Sequence, residues 1–220
     1  MFGSTASSEK KPRLYLFFGN DESAMNKLVQ GLVDKVMDAA MGDMNITRFQ
    51  ESPRVEDVRD AAYMIPMFGD RRLVLVTNAQ DWVKGSKNKD SILKLLDGLP
   101  SSTALVFQLN LELERGNWKD FAPAHWLRKW VKDQPTGTVF QKECSLPGVG
   151  QMPGLIMKEA KEKKGEFSPE AAQELTRAIG NDTLIASLEI DKLLTYVDYQ
   201  RPVTAEDVRL LTPEVAPISV

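Results

Sequence analysis

Apolar residues are distributed along this chain in two alternating patterns. Leu14–Phe18, Ile46–Phe49, Leu73–Thr77, Ala104–Gln108 and Thr138–Gln141 are short apolar runs of strand length, rich in aliphatic and aromatic residues. Between them, Ser23–Ala40, Val55–Ile65, Asp90–Leu96 and Pro123–Val131 carry apolar residues at helical spacing. Leu73-Val74-Leu75-Val76 and Ala104-Leu105-Val106-Phe107 show no polar alternation, as expected when helices cover both faces of a sheet. Strand–helix alternation of this kind predicts an α/β unit with a mainly parallel sheet and flanking helices. Ser52-Pro53 offers a helix start, Ser as N-cap and Pro in the first turn. Trp82–Lys89 is expected to form an exposed, mobile loop.

The pattern changes after Cys144. Pro147, Gly148, Gly150, Pro153 and Gly154 fall close together and read as a linker or hinge. Beyond them no strand is evident. Ile156–Lys164 is helical, Ser168-Pro169-Glu170 opens a second helix, and Asn181-Asp182 caps a third running through Val197. Thr204-Ala205-Glu206-Asp207 has capping-box spacing for a fourth. The expected organisation is an α/β domain over 1–144 and a small all-helical lid domain over 145–220.

The turn after the first strand is where a phosphate-binding loop would stand, and its working residues are missing. In G-x-x-x-x-G-K-[ST] bare backbone N–H groups and a Lys cradle phosphates while a hydroxyl holds Mg²⁺. Counting from Gly19, the second Gly falls on Ala24, the Lys on Met25 and the hydroxyl on Asn26. Lys27 does not substitute, because two helical steps turn it by about 200°. The strand Ala104–Gln108 also lacks the acidic ending that holds Mg²⁺ and orients water; Gln108 and Asn110 are uncharged. The pattern is P-loop-like without the chemistry, so no catalytic residue, cofactor or metal is expected.

Composition narrows the classes further. A net charge of −3 argues against binding nucleic acid alone through a dominant positive field. The lone cysteine, Cys144, excludes an internal disulfide and fits a reducing cytoplasm. His125 is the only histidine, which leaves no material for a metal site or triad built on several. Met1 to Lys11 has no apolar core and is not expected to be a signal peptide or anchor. No apolar stretch approaches the roughly 18 residues that span a bilayer. Arg71-Arg72 reads as a solvated flank or a contact for phosphate or acidic groups. Trp126 and Trp130, four apart, read as core or partly buried positions.

Several segments together resemble the delta subunit of the bacterial DNA polymerase III clamp loader along nearly the whole chain. They are Tyr15-Leu16-Phe17-Phe18-Gly19-Asn20-Asp21, Met67-Phe68-Gly69-Asp70-Arg71-Arg72-Leu73-Val74-Leu75 and Pro100-Ser101-Ser102-Thr103-Ala104-Leu105-Val106. In the second domain Gly180-Asn181-Asp182, Leu188-Glu189-Ile190-Asp191-Lys192-Leu193 and Val203-Thr204-Ala205-Glu206-Asp207-Val208 continue the likeness. The resemblance implies a clamp-loader, AAA+-like fold. It also implies a non-catalytic subunit of a nucleotidyltransferase complex, the DNA-directed DNA polymerase holoenzyme, that binds and opens the sliding clamp in DNA replication. Implied partners are the beta sliding clamp, the delta prime and gamma/tau subunits, and DNA through the assembled complex, in the cytoplasm and without a membrane. Members carry a third, helical collar domain, expected to begin where this chain stops, so the chain is expected to be the first two domains of a longer protein.

The resemblance places the clamp-binding site on Met67 and Phe68, with Met64 and Ile65 sharing the contact. Pro66 and Gly69 bracket the pair, which suits a projecting turn. From pattern alone, Ile65, Met67 and Phe68 are instead a helix end packed on the sheet. The other function class is a P-loop-type nucleotide-binding enzyme or switch with a divergent phosphate loop. A DNA-binding helix-turn-helix lacks a basic recognition helix.

Overall fold

In a computed structural model, which describes residues 11–37, 42–67 and 69–212, the apolar runs pair side by side in one sheet. In chain order the α/β unit contains β1 (Leu14–Gly19), α1 (Glu22–Met37), β2 (Ile46–Gln50), α2 (Val55–Tyr63) and β3 (Arg72–Thr77). It continues with α3 (Gln80–Val83), α4 (Lys89–Asp97), β4 (Thr103–Asn110), a hairpin of β5 (Leu113–Glu114) and β6 (Asn117–Trp118), α5 (Trp126–Lys132) and β7 (Val139–Cys144). Five strands form a parallel sheet in the order β2-β3-β4-β1-β7.

Alternation along the strands divides the core into two layers. Leu14, Leu16, Phe18, Val74, Val76, Leu105, Phe107 and Leu109 share one face with α2, α3, α4 and α5. Phe17, Leu73, Leu75, Ala104 and Val106 share the other, where α1 lays down Met25 and Val33, flanked by Leu28, Val29, Leu32 and Val36. The unbroken apolar runs of β3 and β4 follow from this double cover.

The differences from the sequence reading have local causes. The loop expected over Trp82–Lys89 begins inside α3, whose Trp82 and Val83 are buried among the core residues. α2 starts later than Ser52-Pro53 suggests: Arg54 is its N-cap, without a side-chain cap bond, and pairs with Asp57 at 2.7 Å. Arg72 is no solvated flank. It is buried, donating from Nε to the Ala61 carbonyl at 2.6 Å and to Thr47 Oγ1 at 2.7 Å. Thr103 Oγ1 donates to the Ala62 carbonyl at 2.6 Å. The last turn of α2 leaves carbonyls without helical partners, and the first residues of β3 and β4 satisfy two of them. The end of α2 is thereby fixed to the sheet.

The helical unit has its own core. It contains α6 (Met152–Glu162), α7 (Pro169–Ile179), α8 (Thr183–Tyr196) and α9 (Ala205–Leu211) around Ile156, Leu175, Ile190, Leu193 and Val208. Part of the expected linker is helix: Pro153 stands in the first turn of α6, where its missing N–H costs no helical bond. Ser168 and Asp182 cap α7 and α8, and Thr204 with Asp207 forms the capping box of α9. Asp207 also takes both arms of Arg201, at 2.6 and 2.9 Å, which holds its carboxyl well below the usual range. By contacts the described residues divide into two compact units, one of those up to Asn20 and between Ala24 and Cys144, the other of Asp21–Ser23 and those from Ser145 to Thr212.

Candidate docking tip and the turn after the first strand

The chain between α2 and β3 is forced out of the helix by Pro66. A residue before Pro is disfavoured in the α region, and Pro itself has no N–H to donate. The backbone turns extended at Met64, with φ −62° and ψ 135°. Gly69 then takes φ 70°, a left-handed value that costs glycine little. One side chain holds the segment from below: Asn45, 1% exposed, accepts the Met67 backbone N–H on Oδ1 at 2.8 Å.

The result is an outward-facing apolar tip. Met64, Ile65 and Met67 are 56%, 85% and 69% exposed, and Tyr63 at the helix end is also exposed. These residues do not pack on the sheet as a helix end would. Phe68, the fourth residue of the expected site, lies outside the described residues. Sequence reasoning missed Asn45, whose only signal is a polar residue just before an apolar strand.

The turn after β1 is built in the opposite sense. Only Asn20 and Asp21 separate β1 from α1. Gly19 has φ 144°, and a Cβ there would stand 2.0 Å from the Cys144 carbonyl oxygen on the neighbouring strand. Met25, at the position of a P-loop lysine, is fully buried in the layer beneath α1. Asn26, at the position of the Mg²⁺-holding hydroxyl, accepts on Oδ1 from Gln108 Nε2 at 2.9 Å. Asn110 donates to Asn78 at 2.6 Å. Gln108 and Asn110 donate to other side chains, Asn110 keeps a buried Oδ1 with no partner among the described residues, and Met25 fills the core.

The remaining candidates are structural. His125 caps α5, accepting the Leu127 N–H on Nδ1 at 3.2 Å, so its Nε2–H donates to the Val83 carbonyl at 3.1 Å. Burial lowers its pKa from 6.5. Trp126 Nε1 donates to the same carbonyl at 3.0 Å, and Trp130 Nε1 to Asp97 at 2.9 Å. Among the described residues no group of three or more His, Cys, Asp or Glu could hold a metal ion. None of the described helices is long and apolar enough to cross a membrane.

Comparison with known proteins joins these features to one family. The DNA polymerase III subunit delta of Bacillus subtilis is 23% identical over 200 residues, 90% of this chain and 56% of that protein. The chain therefore spans a little over half the length of this relative. Among solved structures, the Bacillus subtilis DNA clamp loader delta protein (YqeN) superposes with a TM-score of 0.65 at 21% identity, covering 93% of this chain and 59% of that one. The Thermotoga maritima RuvB Holliday junction branch migration motor matches at 0.52 and 13% identity, over 89% of this chain and 60% of its own. These likenesses show a clamp-loader, AAA+-like fold. The family model described as DNA polymerase III, delta subunit, matches residues 15–128, just over half of the chain, which belongs to that family.

Proposed function

We propose that this chain is the clamp-binding part of a clamp-loader delta subunit, and that it docks on a bacterial sliding clamp through Met64, Ile65 and Met67. Phe68 joins them on the family resemblance alone. The observation that carries the reading is the exposure of three large apolar side chains on one short turn. A flexible Met beside a rigid neighbour suits insertion into an apolar pocket, and each side chain buried contributes about 1.5–3 kcal/mol. Prising the clamp interface open would draw on the same contact. Residues 1–144 then form the docking domain and 145–220 the lid. The delta prime and gamma/tau subunits, and DNA through the assembly, are proposed as further partners in the cytoplasm.

A nucleotide-driven role has less support, because Met25 fills the lysine position and Asn26 is bonded to Gln108. Replacing Ile65 and Met67 together with Ala should weaken clamp binding by about 2 kcal/mol or more. The melting temperature should stay close to wild type, since exposed side chains contribute little to folding. Unchanged affinity in calorimetry, or a collapse in stability, rules the reading out.

A further inference from the structure

At the base of the tip the α/β unit holds a cavity of about 240 Å³. Its floor is apolar, made by Tyr15, Leu32, Val36 and Leu73. Its rim is charged: Lys11, Lys35 and Arg71 against a single carboxylate, Asp70. That carboxylate is already paired with Lys11 at 3.1 Å. Among the described residues that line it, Lys35 and Arg71 have no such counterion. Arg71 gives one N–H to the Pro12 carbonyl and lies 5.9 Å from the centre of the Tyr15 ring. Its Nε–H is buried, with no hydrogen-bond partner among the described residues, which leaves the cation incompletely compensated.

Size and position select the occupant. Pockets that enclose a whole small-molecule ligand usually measure about 300–1,000 Å³, so this one suits one or two side chains. Gly69, Asp70 and Arg71 form part of its wall and follow the tip directly in the chain. A protein seated on Met67 therefore passes the mouth of the cavity. We infer that the pocket takes an acidic segment of the sliding clamp that receives the tip, a carboxylate toward Arg71 and Lys35 with an apolar neighbour over Tyr15 and Leu32. This rests on the tip docking as proposed above.

The test uses the whole chain and a sliding clamp from the same organism, with association and dissociation followed by surface plasmon resonance at low and high salt. Lys35 is exposed, so Lys35→Glu should melt like wild type. It should slow association roughly tenfold at low salt, with the difference shrinking as salt screens the charges. Lys35→Gln should give a smaller loss in the same direction. An association rate for Lys35→Glu equal to wild type at low salt, while Ile65→Ala and Met67→Ala lose binding, overturns the pocket and leaves the tip reading standing. Wild-type binding by the tip variants overturns both.

Discussion

The two ends of the parallel sheet treat the same problem in opposite ways. All five strands run in one direction, so the turn leaving β1 and the segment entering β3 lie at opposite sheet ends. At the first end, Met25 is buried and Gln108 donates to Asn26. At the second, Met64, Ile65 and Met67 stand in solvent on a turn tied down by Asn45. A fold that elsewhere presents polar groups to a ligand here closes that end and exposes apolar surface at the other. Buried polar groups that pair among themselves contribute order, whereas unpaired apolar side chains on a held turn contribute affinity for a partner.

The sharpest way to break this contrast is to restore the missing lysine. Met25→Lys places a charge in an apolar layer formed by Phe17, Val33, Leu73 and Val106, none of which can act as its counterion. The expected cost is about 3–5 kcal/mol of stability, read from denaturant unfolding, without any gain in nucleotide affinity. A variant that folds as well as wild type and binds ATP would mean that the closed end is a lightly altered nucleotide site.

A smaller effect is expected at the open end. Asn45→Ala leaves the Met67 N–H without its buried acceptor and should cost about 1–3 kcal/mol. Clamp affinity should fall as well, although Asn45 is too buried to touch a partner, because an untethered tip must be ordered on binding. Full stability with full clamp affinity would show that the turn holds its shape through Pro66 and Gly69 alone.

Much of this contrast was legible in the sequence, and the rest was not for definite reasons. The runs Leu73–Val76 and Ala104–Phe107 announce a sheet covered on both faces, because only double burial tolerates the loss of alternation. Asp182, Ser168 and Thr204 mark helix starts because their capping bonds are made within three residues. Non-local partners leave no such mark. Arg72 is buried because Ala61 and Thr47 come to it from elsewhere in the chain, and a neighbouring pair of arginines gives no sign of that. Asn45 is invisible as a tether for the same reason. α3 escapes notice because a single turn has no period to read. The tip itself is ambiguous by pattern, since the same apolar residues serve a packed helix end or an exposed turn. The backbone geometry at Met64 and Gly69 decides between them.

The smallest expected effect separates the ends by pH. His125 sits on the closed, polar-paired side of the contrast, packed on Phe121 at 4.8 Å between ring centres. Its desolvation lowers the folded pKa below the ordinary 6.5, so between the two values protons bind the unfolded chain more readily. The contribution is therefore complete above that ordinary value and declines as pH falls through it toward the folded one. Denaturant midpoints compared at about pH 8 and about pH 5.5 should show a modest loss at the lower value, which His125→Asn removes. Asp207, also depressed, loses its contribution only when pH drops through the carboxylate range, and does not confuse this window. Met64, Ile65 and Met67 carry no ionisable group, so clamp affinity measured on folded protein should not follow the same curve. A clamp affinity that tracks the His125 transition would couple the two ends and end their description as independent.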